Sequence, residues 1–156
     1  MTLHRLLYRS DVAMIGSEAT IRQHLGEIVA TSQERNAANG LTGALLQAHG
    51  VFLQVLEGPL DAIEPTFERI CCDLRHRRVE LVELVPIEQR LFAEWSMAAI
   101  TLDRDVEALL PSRDAMRDLG ADAAGAQATV DLLRSLIVSA RGRAPSRASG
   151  EAASVA

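Results

Sequence analysis

The chain is poor in cysteine, in aromatic residues and in long apolar runs, and its charge has no basic excess. Its two cysteines, Cys71 and Cys72, are adjacent in a predicted helix, where their side chains diverge and ordinary disulfide geometry is hard to reach, so a reduced compartment is expected. His4, His24, His49 and His76 stand in no metal-ligand spacing and no Cys-x-x-Cys accompanies them, so no metal site is predicted. The formal net charge is −5, and the basic residues do not gather with aromatics, which argues against a nucleic-acid surface. No apolar stretch approaches the roughly 20 residues of a membrane helix, and Met1-Thr2-Leu3-His4-Arg5 lacks the apolar core of a signal peptide. The composition therefore reads as a cytoplasmic protein with neither nucleic acid nor membrane as a partner. A length of 156 residues fits one domain with a modest appendage. A chain of that size buries close to about 70% of its unfolded surface, enough to hold an internal ligand.

What the chain does have is an apolar strand with one amide in its middle, Gly50-Val51-Phe52-Leu53-Gln54-Val55-Leu56-Glu57-Gly58-Pro59. Alternate strand side chains share a face, so Phe52, Gln54 and Leu56 point one way and Val51, Leu53 and Val55 the other. Both faces are apolar, so both must be covered and Gln54 is taken out of water. An unpaired amide there costs roughly 2–7 kcal/mol on apolar transfer scales. Something polar must meet it, either a neighbouring backbone group of an ordinary core or the polar edge of a ligand.

In chain order, Leu3 to Ser10 predicts a first strand with Leu6, Tyr8 and Ser10 on one face and Leu3, Arg5, Leu7 and Arg9 on the other. Ser17 can cap a helix to about Gln33, with Ile21, Leu25, Ile28 and Val29 at helical spacing, after which Asn36-Ala37-Ala38-Asn39-Gly40 breaks the pattern. Leu41 to Gln47 predicts a second strand, and the turn Ala48-His49-Gly50 joins it to the Gln54 strand as an antiparallel hairpin. Pro59 suits the first turn of a second helix to about Asp73, with Ile63, Phe67 and Ile70 as its buried stripe. Leu74-Arg75-His76-Arg77-Arg78 reads as a charged connector, Val79 to Val85 as a strand ended by Pro86, and Phe92 to Ile100 as a last strand. The order predicts an α+β fold, a ferredoxin-like βαββαβ sheet with one added strand and both helices on one face. Val106, Leu109 and Leu110 mark a short helix, and Val130, Leu133 and Ile137 a longer one, able to cover the other face. The divisions expected are a domain over 1–101, a helical cap over 102–140 and a disordered tail over 141–156, where apolar residues are few.

With these elements in place, residues 3 to 101 resemble the BLUF family of flavin-binding blue-light sensors. The resemblance rests on Leu6-Leu7-Tyr8-Arg9-Ser10, on Asn36-Ala37-Ala38-Asn39-Gly40-Leu41-Thr42-Gly43, on Phe52-Leu53-Gln54-Val55-Leu56-Glu57-Gly58, on Asp73-Leu74-Arg75-His76 and on Trp95-Ser96-Met97, in that order. It implies a noncovalent flavin, FAD with FMN or riboflavin as alternatives, held between the two helices with its ring edge toward the sheet. Tyr8 matches the electron-donating tyrosine, and Gln54 the glutamine between that tyrosine and the flavin. Asn36 matches the asparagine on the pyrimidine edge, Arg69 and Asp73 the polar residues near the carbonyl side, and His76 a histidine close to the flavin. Ile28 and Phe52 would pack on the ring. Trp95 and Met97 match the pair tied to signalling. Arg35 departs from the pattern, standing where family members often carry an amide, and by itself reads as a solvated helix-end residue.

The resemblance implies that light drives electron and proton transfer from Tyr8 and leaves Gln54 rotated or tautomerised, giving a slightly red-shifted state that reverts in the dark. An amide with a donor end and an acceptor end suits such a switch. Nothing after Ile100 reads as long enough for an enzyme, so the expected output is conformational. The expected partners are the flavin, further copies of the chain and a downstream protein that the sequence does not name. The competing readings on the same fold are an acyl-phosphate hydrolase, a flavin oxidoreductase and a flavin-free dimerisation module. The first lacks a Gly-rich anion loop after the first strand and the second lacks a dinucleotide fingerprint.

Overall fold

The computed structural model describes residues 2–100, 102, 104–118 and 122–141. The elements run β1 (Leu3–Val12), α1 (Glu18–Asn39), β2 (Thr42–Ala48), β3 (Val51–Pro59), α2 (Leu60–Cys71), β4 (His76–Ile87), β5 (Ala98–Ile100), α3 (Arg104–Leu109), α4 (Arg113–Asp118) and α5 (Ala123–Arg141). The strands form one mixed sheet in the order β4-β1-β3-β2-β5. β1 lies antiparallel to both β3 and β4, β2 is antiparallel to β3, and β5 joins β2 in parallel. This is the α+β architecture expected, a βαββαβ sheet with an added strand. His49 and Gly50, both at positive φ, make the tight turn between β2 and β3, where a two-residue hairpin requires that backbone.

The two-sided strand pattern is explained by two separate cores. Leu6, Tyr8, Phe52 and Leu56 pack with Ile28 of α1 and Ile63 of α2 on one face. Leu7, Leu53 and Val55 pack on the other with Met116 of α4 and with Val130, Leu133 and Ile137 of α5. The stripe at 130, 133 and 137 therefore closes the face the first two helices leave open. Full burial of each such side chain stabilises by about 1.5–3 kcal/mol.

Four expected boundaries differ. The first helix does not stop near Gln33 but continues to Asn39. Asn36 is buried within it, and Gly40 caps it in the left-handed conformation at φ 68°. Its last turns carry no apolar stripe, so periodicity could not follow them. The connector at 74–78 is half strand: His76 pairs with Val12 and Arg77 with Asp11, and a register irregularity with Arg78 at φ 51° follows before Glu80 pairs with Arg9. β4 is an edge strand, which is why Pro86 lies inside it opposite His4 rather than ending it. The last strand shrinks to Ala98–Ile100. Phe92 to Met97 is irregular because side chains take its backbone groups: Glu57 accepts from Leu91 N and Phe92 N, Asn36 donates to Ser96 O, and Gln33 donates to Met97 O. Of the tail expected over 141–156, Arg141 closes α5, and residues 142–156 lie outside the described residues.

Candidate functional site

Between α1 and α2, above the centre of the sheet, lies a cleft of about 560 Å³ including its open mouth. α1 lines it with Ile28, Thr31, Ser32, Arg35 and Asn36, and α2 with Thr66, Arg69 and Ile70. β3 supplies Gln54, and the α2–β4 junction supplies Asp73, Arg75 and His76. Six of the residues singled out in the sequence, Ile28, Asn36, Gln54, Arg69, Asp73 and His76, thus share one cavity. Tyr8 and Phe52 lie beneath it, fully buried, rather than in its wall.

Gln54 is 4% exposed, as a two-sided strand requires, and its partners are side chains. Tyr8, opposite it in the β1–β3 register, donates its hydroxyl to Gln54 Oε1. Gln54 Nε2 faces the sulfur of Met97 at 3.6 Å. Burial pushes the Tyr8 phenol far above its ordinary range, with Asp73 and Cys71 adding in the same direction, so the hydroxyl keeps its proton at neutral pH. The Tyr8 ring is flanked by Phe67 at 5.6 Å and His76 at 6.0 Å between centroids.

His76 is held by Ser10 Oγ at 2.8 Å from Nδ1 and lies 4.6 Å from the Phe52 ring. Burial lowers its pKa to about 4, against the raising effect of Asp73, so it is a neutral imidazole here. Asp73 forms a two-point pair with Arg75, whose hydrogen bonds hold the carboxyl below the usual carboxylate range and raise the guanidinium in turn. Arg69 donates to Thr66 Oγ1 at 3.2 Å.

Trp95 and Met97 part company. Met97, 1% exposed, belongs to the core on the cleft side, whereas Trp95 is partly buried against the opposite core. The short backbone between them is gripped from α1, since Asn36 Nδ2 donates to Ser96 O at 2.7 Å and Gln33 Nε2 to Met97 O at 3.1 Å.

Sequence reasoning passed over Gln33, Ser96, Arg75 and Glu57. Gln33 was legible as the residue three before Asn36 on the same helical face. Glu57 was legible as a carboxylate closing an apolar strand. It is fully buried and holds Leu91 N at 2.8 Å and Phe92 N at 3.0 Å, while Arg90 donates to its backbone oxygen and to Gly40 O. Arg35 is not at a helix end, as its solvated reading supposed, but one turn inside α1 and on the cleft wall.

A flat ring with one carbonyl-and-imide edge needs apolar walls and mixed polar groups along that edge. Ile28 and Ile70 supply walls. Gln54, Arg69 and Asn36 supply polar groups, Asn36 with its amide oxygen and the second hydrogen of a nitrogen that gives the first to Ser96 O. The residues fit such a group. Among the described residues no cluster of His, Cys, Asp and Glu could hold a metal ion, and no helix is long and apolar enough to cross a membrane.

Fold and cleft together define a ligand-binding α+β domain with a hydrogen-bonded tyrosine–glutamine pair beneath its pocket. Residues 3–98 match the model of the BLUF family, sensors of blue light using FAD, and the chain belongs to that family. Photoactivated adenylate cyclase subunit beta of Euglena gracilis is 40% identical over 81 residues, which are 51% of this chain and 9% of that protein. The chain spans about a tenth of the length of the curated relatives it matches, whose cyclase names describe those whole proteins. Among solved structures, BlrB in its dark state is 32% identical with a TM-score of 0.63, covering 88% of this chain and 97% of that one. The photo-activated state of BlsA gives a TM-score of 0.72 at 25% identity, covering 85% and 94%. Klebsiella pneumoniae BlrP1 with FMN and cyclic diGMP gives 0.59 at 29% identity, covering 77% and 35%.

Proposed function

We propose that this chain senses blue light through a flavin held noncovalently in the α1–α2 cleft, with Tyr8 and Gln54 as its photoactive pair. The observation that carries the reading is the buried Tyr8 hydroxyl bonded to an amide that lines the cleft. When bound, a flavin supplies a ring that absorbs blue light and, once excited, takes up an electron. Tyr8 is the one phenol in this sequence and would supply that electron. A phenol oxidised by one electron becomes strongly acidic, and the acceptor of its proton is Gln54 Oε1. The amide would give up an Nε2 proton toward the ring as it gains one at Oε1, and return of one electron and one proton to Tyr8 would leave a neutral Gln54, rotated or as its imidic tautomer, with its donor and acceptor ends exchanged. Net hydrogen-bond differences of about 1 kcal/mol make the rearranged state metastable.

Ile28 would pack on the ring with Phe52 buried beneath the cleft behind it, Asn36, Arg69 and Asp73 would meet the polar edge, and His76 would lie beside it. Met97 receives the change at Gln54. From there it passes along the segment gripped by Asn36 and Gln33, past Trp95 on the other face, to the cap over 102–140 that covers the sheet of the 1–101 sensor domain. The output is conformational, toward a downstream protein or a second copy in the cytoplasm, and light scattering in the dark and after illumination reports the self-association. An absorption spectrum before and after blue light tests the core of the reading. A flavin spectrum that shifts slightly red and recovers in the dark supports it. Bound flavin without any shift removes the Tyr8–Gln54 switch.

A further inference from the structure

We propose that Arg35 is a phosphate anchor at the mouth of the cleft, so that this chain selects flavins bearing a phosphate beyond the ribityl group, FMN and FAD, over riboflavin. The proposal rests on the flavin reading above and names which member of that class the site takes.

Along α1 the cleft wall runs from the buried amide of Asn36, 2% exposed, to the exposed guanidinium of the residue before it. The backbone oxygen of Arg35 accepts from Asn39, but its side chain makes no hydrogen bond or ion pair with any described residue. The other cations of the lining differ from it. Arg75 is neutralised by Asp73 at 2.7 Å, and Arg69 is anchored by one hydrogen bond to Thr66 that leaves its other N–H groups for the ring edge. His76 is neutral. The lining therefore holds three arginines against one carboxylate, in a chain whose net charge is −5 and which contains no lysine. That local excess of positive charge is not a sample of the surface at large.

The ring does not account for it. Gln54, Asn36 and Arg69 already serve the polar edge of a neutral ring, and none of its groups calls for a further unpaired cation at the solvent side. A ribityl phosphate does: its charge would favour the solvent side of the cleft, where Arg35 is exposed. The planar fork of an arginine matches phosphate oxygens two at a time, and an exposed arginine without a competing carboxylate has no partner to surrender. FMN and FAD share that phosphate, so the recognised chemistry is common to both.

The test is titration of the 156-residue apoprotein with riboflavin, FMN and FAD, read by flavin fluorescence, for the wild type, Arg35→Gln and Arg35→Lys. Wild type is expected to bind FMN and FAD about tenfold more tightly than riboflavin, one charge-assisted contact's worth, with the preference fading between roughly 50 and 500 mM salt. Arg35→Gln should bring all three within about twofold by weakening FMN and FAD alone, and Arg35→Lys should keep part of the preference. Equal affinities in the wild type, or a preference that survives Arg35→Gln, overturns the anchor while tight riboflavin binding leaves the flavin reading standing. FAD bound far more tightly than FMN, with no loss in Arg35→Gln, overturns it in favour of the adenylyl half. Binding of none of the three removes the flavin reading and the anchor with it.

Discussion

Gln54 Nε2 donates to the sulfur of Met97 at 3.6 Å, the weakest acceptor available to an amide buried in the middle of a sheet. The other end of the same amide takes the hydroxyl of Tyr8. One firm bond and one soft one leave Gln54 fixed at its oxygen and loosely held at its nitrogen, which is the asymmetry a hydrogen-bond switch needs.

Tyr8→Phe should keep the flavin and lose the light-induced red shift, because the cleft wall is untouched while the electron and proton source is gone. It leaves Gln54 Oε1 without its donor, at a cost of about 1–3 kcal/mol. Difference spectra and urea denaturation read the two effects, and a full shift in the variant would remove Tyr8 from the mechanism.

Gln54→Leu should likewise bind flavin and yield no red-shifted product. The Tyr8 hydroxyl would then face a hydrocarbon. The same spectral measurement checks it, and a normal product state would show that the amide is dispensable.

His76 gives a pH dependence whose sign is set by its depressed pKa. In the unfolded chain it takes up a proton near 6.5, whereas in the folded protein it does so only at about 4. Between those values the unfolded state binds more protons, so the His76 contribution is fully present above about pH 6.5 and is lost as pH falls toward 4, by up to about 3 kcal/mol. Melting curves across that window should show the slope in the wild type and a flatter one in His76→Asn.

Glu57→Ala should destabilise the fold by about 2–3 kcal/mol, since it strips the backbone amides of Leu91 and Phe92 of their acceptor in a buried setting. Denaturation gives the cost. Amide exchange should rise at 91–97, the segment that carries Trp95 and Met97, before it rises in β1 or β3.

The route to the cap predicts that amide exchange in residues 104–141 differs between dark and illuminated protein. Leu133→Ala, at a position with no exposure in the core under α5, should cost about 2–5 kcal/mol and loosen that helix in both states. Identical exchange in dark and light would end the proposed route.

How far the chain could be read differs from residue to residue. Gln54 was legible because period-two alternation on a strand apolar on both faces leaves an amide no water, and that alone demands a partner. Val130, Leu133 and Ile137 were legible for the parallel reason on a helix. Asn36 was visible as a motif residue but was set in a turn, since a helix turn held by a buried amide and a glycine cap shows no hydrophobic period. The 92–97 segment was drawn as strand because its composition is strand-like, while its backbone groups are in fact taken by Glu57, Asn36 and Gln33. Nothing local to those six residues records that.

The sequence by itself determined the strand and helix faces, the two-sided core and the family, because these follow from spacing and residue type along a continuous chain. Only the tertiary structure decided that Met97 rather than Trp95 meets Gln54, that Glu57 pins Leu91 and Phe92, and that Arg35 stands on the cleft wall without a partner. Each is a contact between residues 30 or more positions apart, or the lack of one. Such contacts depend on strand order and helix docking, which no periodicity within a single element encodes.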